Sequence, residues 1–175
     1  MKILVVIDMQ NDFVRGSLSN PAAEAIVPKI KERIEAAREN KEMVVFTQDT
    51  HDADYLETFE GQKLPVEHCI YGTEGWEIVD ELKDEAALCV LKPTFMGFDL
   101  ISRIETVAAA MNEDVEIEVC GTITSICVVS IALMLRGAFR NSKIVVNSNL
   151  CADITPEGHE AALTVMKNCQ IDVIE

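Results

Sequence analysis

The sequence predicts an α/β domain, a three-layer, open and mostly parallel sheet with helices on both faces. Three observations lead there. Short apolar runs alternate with amphipathic stretches along all 175 residues. The runs are built from Val, Ile, Leu and Ala, and only 5% of the chain is aromatic. Such aliphatic runs suit strands buried on both faces of a parallel sheet. Finally, no Pro/Gly/Ser-rich linker, repeat or low-complexity tract divides the chain, so residues 1–175 read as a single domain around one core.

The first strand is expected over Lys2 to Asp8. The apolar run Ile3-Leu4-Val5-Val6-Ile7 is stopped by Asp8 before it reaches the length of a signal-peptide core. A helix should follow between Pro21 and Asn40, with its regular part starting at about Pro28, because proline is tolerated in a first turn and not in an interior. Ile30, Ile34 and Ala37 recur at the spacing of one buried face, opposite Lys31, Glu32, Glu35 and Arg38. Further strands are read over Met43 to Asp49, Leu88 to Lys92, Val115 to Gly121, Lys143 to Val146 and Ile171 to Ile174. Further helices are read over Trp76 to Leu82, Asp99 to Met111, Ser125 to Phe139 and Pro156 to Met166. In such a sheet the crossovers are right-handed and ligands bind beyond the carboxyl ends of the strands. A residue that does chemistry should therefore stand at or just after a strand end.

Composition excludes several classes. A formal net charge of -15 leaves no clustered cation for nucleic acid or an anionic membrane, so neither partner is expected. The acidic stretch Glu77 to Glu85 reads as a solvated helix face. No run reaches the about 20 apolar residues that span a bilayer, and a cytoplasmic location is expected. Six cysteines without an export signal or a CxxC pair argue against disulfides, a zinc knuckle or a thioredoxin motif. Cys89, Cys120 and Cys169 read as small core hydrophobes.

Three residues pass the strand-end test. Asp8 closes the first strand, Lys92 closes Leu88-Cys89-Val90-Leu91, and Cys127 follows Gly121-Thr122-Ile123-Thr124-Ser125-Ile126 at a helix start that Thr124 or Ser125 can cap. A helix start stabilises a thiolate, and its free N–H groups can hold an oxyanion. Singly, each has an ordinary reading as a turn-forming Asp, a solvated Lys or a packing Cys. Together at three strand ends they point to cysteine chemistry. A Cys-His pair is the competing arrangement, but His159 lies near a helix start and reads as structural.

The segments Asp8-Met9-Gln10-Asn11-Asp12-Phe13, Lys92, and Gly121 to Val128 resemble the signature of the isochorismatase-like cysteine hydrolases, the superfamily that includes nicotinamidases. The likeness runs nearly the whole chain and implies an isochorismatase-like, Rossmann-like fold. It implies a small-molecule amide substrate, nicotinamide being the concrete example, and no nucleotide cofactor. Asp8 would take the thiol proton and later activate water, Lys92 would stabilise the thiolate, and Cys127 would form a thioester. The N–H groups of Ile123 and Cys127 would form the oxyanion hole beside a cis peptide between Thr122 and Ile123. Ser125 departs from the family, which usually has Asp there. The family also implies a homo-oligomer, with Met134-Leu135 as a candidate contact.

Asp49 and His51 at the end of the second strand project to one side and, with His68, form an O/N/N set suited to zinc, iron or manganese, or else are loop residues that bind nothing. The nicotinamidase resemblance implies the divalent metal, with Glu60 or Glu57 as a further ligand. It also places Leu64, one residue before Pro65, where an aromatic commonly stacks on a pyridine ring. Phe13, Phe95 and Phe98 are candidates for that wall. The enzymatic alternative is a metal-free isochorismatase-like hydrolase of another small, non-pyridine substrate, and a flavodoxin-like binding protein that keeps the fold without catalysis is the reading from a different class.

Overall fold

The computed structural model describes all residues, Met1 to Glu175. Strand β1 (Lys2–Ile7) lies at the middle of a six-stranded sheet in the order β3-β2-β1-β4-β5-β6, and every ladder is parallel. The other strands are β2 (Met43–Asp49), β3 (Leu88–Lys92), β4 (Glu116–Thr122), β5 (Lys143–Ala152) and β6 (Asp172–Ile174). Ile3 to Ile7 are buried on both faces, which is why that run is apolar without alternation.

The helices are α1 (Asn11–Val14), α2 (Pro21–Glu39), α3 (Phe59–Lys63), α4 (Phe98–Met111), α5 (Val129–Ala138) and α6 (Pro156–Asn168). Right-handed crossovers set α2 on one face, against β2, β4 and β5, and α4, α5 and α6 on the other. The chain reverses its winding between β1 and β4, so a crevice opens beyond their carboxyl ends. Gly121 makes that meeting possible. Its φ is +120°, and a Cβ there would stand 2.2 Å from the Ile7 carbonyl oxygen.

Five sequence expectations are corrected. Helix α2 starts at Pro21, with the Asn20 side chain accepting from the Ala22 N–H, and runs through Pro28. Pro28 lies on the solvent side, where water can satisfy the carbonyl it leaves unpaired. No regular helix forms over Trp76 to Leu82, beyond one 3-10 turn at Asp80–Leu82. That segment is drawn out along the first loop instead: the Asn11 N–H donates to Glu77 O at 2.8 Å and the Val79 N–H to Met9 O at 3.0 Å. Strand β5 continues six residues past Val146, because Asn147, Ser148 and Asn149 form an irregular step where the β4–β5 register shifts. Cys89 and Cys169 are exposed, on an edge strand and a helix end, while Cys120 is buried in the core as expected. Leu135 is also fully buried in the core, which removes it as a contact between subunits.

Candidate active site

Four strand ends converge on one cluster. Asp8 follows β1 with a left-handed backbone (φ 50°), and its N–H donates to the Thr47 carbonyl on β2. The Thr47 hydroxyl donates to Asp8 Oδ1 at 2.7 Å. Asp49 and Lys92 end β2 and β3 at paired positions of the ladder. Beyond β4, the peptide between Thr122 and Ile123 is cis, and Thr124–Val128 form a single π-helical turn that carries Cys127 into α5.

Lys92 is the hub. Its side chain is fully buried, and its Nζ lies 2.7 Å from Asp8 Oδ2, 3.0 Å from Asp49 Oδ1, 3.2 Å from the Thr94 carbonyl and 3.5 Å from Cys127 Sγ. A buried ammonium persists only with such compensation. Burial works against its charge, but Asp8, Cys127 and Asp49 outweigh that and raise its pKa above the ordinary lysine value. Burial raises the Asp8 pKa above its ordinary 3.8; Lys92 opposes this and Asp49 adds to it. Burial also pushes the Cys127 thiol well up, and Asp8 adds to the effect while Lys92 counters it. Burial thus favours the thiol over the thiolate at Cys127 and makes the neighbouring Asp8 carboxylate a stronger base than an ordinary one.

The supports come from residues that the strand-end rule passed over. Gln10 clamps the end of β2, its Nε2 donating to Asp49 O and Trp76 O at 2.8 Å while its Oε1 accepts from the Asp49 N–H. Asp153, at the end of β5, accepts from the Ser125 N–H at 2.6 Å and so steadies the turn that carries Cys127. The expected side-chain caps do not form: no side chain of Thr124 or Ser125 caps the turn, and the Thr124 hydroxyl pairs with His159 Nδ1 at 2.9 Å. His159 thus has the structural position expected of it. Two signals could have found these supports. Thr47 and Gln48 interrupt an apolar strand with polar residues, and Asp153 is another strand-end Asp, hidden by the premature end assigned to β5.

On the other side of Asp49 stands a second group. Asp49 Oδ2 lies 3.1 Å from His51 Nε2 and 3.6 Å from His68 Nε2, and Glu60 Oε1 is 3.9 Å from His51 Nε2. Ligand-capable atoms of Asp49, His51, Glu60 and His68 all lie within 4.8 Å of one another, so Glu60 joins the set and Glu57 does not. The donor set fits a divalent cation. His68 Nδ1 faces the Val66 carbonyl at 2.8 Å, which fixes that nitrogen as the N–H and turns the Nε2 lone pair toward Asp49 and Glu60. Burial disfavours an ionised Asp49, but the neighbouring His51 and His68 and the charge of Lys92 hold its carboxyl well below the usual range.

A cavity of about 490 Å³ opens over both groups. Cys127, Asp49 and His68 lie on its lining, with Ile123 beside the thiol, and Phe13, Leu64 and Phe95 contribute apolar wall as the sequence suggested. Phe98 is two-thirds exposed and lies outside it. No helix is long and apolar enough to cross a membrane.

Solved structures match this chain over nearly its whole length. The pyrazinamidase of Pyrococcus horikoshii, solved in complex with zinc, superposes with a TM-score of 0.85 at 28% identity, covering 99% of this chain and 98% of that one. A nicotinamidase/pyrazinamidase from Bacillus subtilis superposes at 0.83 with 31% identity over 99% of both chains. Among curated proteins, the nicotinamidase of Saccharomyces cerevisiae is 29% identical over 125 residues, 56% of this chain and 57% of that enzyme, so the match spans little more than half its length. An Arabidopsis thaliana protein named a probable inactive nicotinamidase is 29% identical over 177 residues, 94% of this chain and 87% of that protein. The model of the isochorismatase domain matches residues 2–175, and the chain belongs to that family.

Proposed function

We propose that the protein hydrolyses a small carboxamide through a thioester on Cys127, with nicotinamide, giving nicotinate and ammonia, as the first substrate to try. The observation that carries this reading is Lys92 Nζ held between Asp8 Oδ2, Asp49 Oδ1 and Cys127 Sγ, with Asp49 and Cys127 on the cavity lining. Cys127 gives its proton to Asp8, and the thiolate, facing the Lys92 ammonium, adds to the amide carbonyl carbon. The resulting oxyanion is held by the N–H groups of Ile123 and Cys127. Collapse breaks the C–N bond, and the amine leaves with the proton from Asp8. Asp8 then takes a proton from water, whose oxygen adds to the thioester carbonyl. The acid departs and Cys127 recovers its proton, so the enzyme is unchanged over the cycle.

Asp49, His51, Glu60 and His68 are the residues that would hold a divalent cation such as zinc, iron or manganese. When bound there, the ion supplies a Lewis-acid contact for a ring nitrogen of the substrate. Phe13, Leu64 and Phe95 press the flat ring between apolar surfaces and exclude water from the thiol.

The test is release of ammonia and nicotinate from nicotinamide by the purified protein, with bound metal measured on the same sample. Turnover with about one metal per chain is expected. No turnover of nicotinamide, pyrazinamide or aliphatic amides by the folded, metal-loaded protein would overturn the reading. A second reading, a binding protein without turnover, is favoured by the name of the Arabidopsis relative. It predicts that Cys127 alkylates no faster than the buried Cys120.

A further inference from the structure

We propose that Thr47 is a positioning residue for the proposed reaction: its hydroxyl occupies Asp8 Oδ1 and so leaves Oδ2 as the oxygen that exchanges the proton with Cys127. This rests on the reading of Cys127 as nucleophile and Asp8 as its base. Thr47 and Asp8 are both fully buried and hold each other twice, through the Asp8 N–H on the Thr47 carbonyl at 3.2 Å and the Thr47 hydroxyl on Oδ1 at 2.7 Å. The second contact fixes the rotation of the carboxylate about its Cβ–Cγ bond. Oδ2 then faces the Lys92 ammonium at 2.7 Å as an ion pair.

A carboxylate oxygen has more than one lone-pair site, so Oδ2 can face the Lys92 ammonium and still accept the thiol proton. Thr47 does not line the cavity, so it acts on the base and not on the substrate. A valine in its place has nearly the same shape, keeps the backbone contact and frees the carboxylate to rotate. Oδ1 then loses its donor and Oδ2 its fixed aim.

The experiment compares Thr47→Val and Thr47→Ser with the unchanged protein, each loaded with zinc and each checked to be folded at the assay temperature. With nicotinamide as the assay, Thr47→Val should lower kcat by about tenfold to a hundredfold with KM unchanged, as expected for losing a hydrogen bond to a charged group. Thr47→Ser should restore most of the rate. Alkylation of Cys127 by iodoacetamide is followed in parallel: Thr47→Val should slow it and Thr47→Ser should restore it. Equal kcat in the valine variant, or an equal loss in the serine and valine variants, overturns the assignment. If the unchanged protein turns over no amide, the hydrolase reading fails by itself. The alkylation series then still decides the role of Thr47, with equal rates in all three proteins overturning it.

Discussion

Asp49 divides the floor of the cavity into two halves that are built on opposite principles. Toward β3 and β4 its Oδ1 meets a closed set in which the Lys92 cation is matched by two carboxylates and a thiol, all within 3.5 Å of one nitrogen. Toward the Tyr55–Lys63 segment its Oδ2 meets His51, His68 and Glu60, a set rich in acceptors and lacking a buried cation of its own. The first half is complete as folded and should matter to stability as well as chemistry. The second is a receptacle, so its loss should cost ligand binding far more than folding.

Breaking the closed half should give the largest effect. Lys92→Met leaves Asp8 and Asp49 buried without their cation. We expect amide turnover to vanish and unfolding in urea to report a loss of about 3–5 kcal/mol, the usual cost of removing one partner from a buried pair. His51→Ala should act in the opposite pattern. Equilibrium dialysis should show zinc binding weakened by at least about tenfold, with the urea midpoint near that of the unchanged protein. If His51→Ala destabilised the fold as much as Lys92→Met, the contrast between the halves would be wrong.

Acid should separate them further. The Asp49 carboxyl titrates well below its ordinary 3.8 in the fold, so its contribution to stability is complete above that value and is lost as pH falls below it toward the folded value. Asp8 has the opposite sign. Its raised pKa means that the folded state binds the proton more readily, so its term weakens the fold as pH rises through the window just above 3.8. Urea midpoints measured downward from pH 5 in zinc-free buffer should therefore fall most steeply below about pH 4, and the fall should be shallower in Asp49→Asn. The smallest effect belongs to the wall: Phe95 is 44% exposed, and Phe95→Ala should raise KM by about threefold to tenfold with kcat little changed.

The sequence revealed the ends of strands better than the contacts between them. Met43–Asp49 and Leu88–Lys92 were legible to the residue, because an apolar run stopped by a charged side chain marks where a buried strand meets the rim. The same logic brought Asp8, Lys92 and Cys127 forward as candidates. That Lys92 is wholly buried was not legible, since lysines are mostly exposed and only the neighbouring strands supply its partners. The support from Thr47 was hidden for a related reason. It depends on the β1–β2 ladder, which pairs Ile7 with Thr47 across 40 positions of sequence. The loop over Trp76 to Leu82 failed differently: its composition suits a helix, and hydrogen bonds to the first loop override that preference. Glu60, read as the further ligand with Glu57 as the alternative, is the one that the short helix α3 turns toward the histidines.

Whether the sulfur of Cys127 is the nucleophile is tested most directly by ammonia release from nicotinamide by the zinc-loaded Cys127→Ala protein beside the unchanged one. The substitution should lower turnover by at least about 10⁴-fold while metal content and melting temperature hold steady. Turnover in Cys127→Ala within tenfold of the unchanged protein would contradict that role for Cys127.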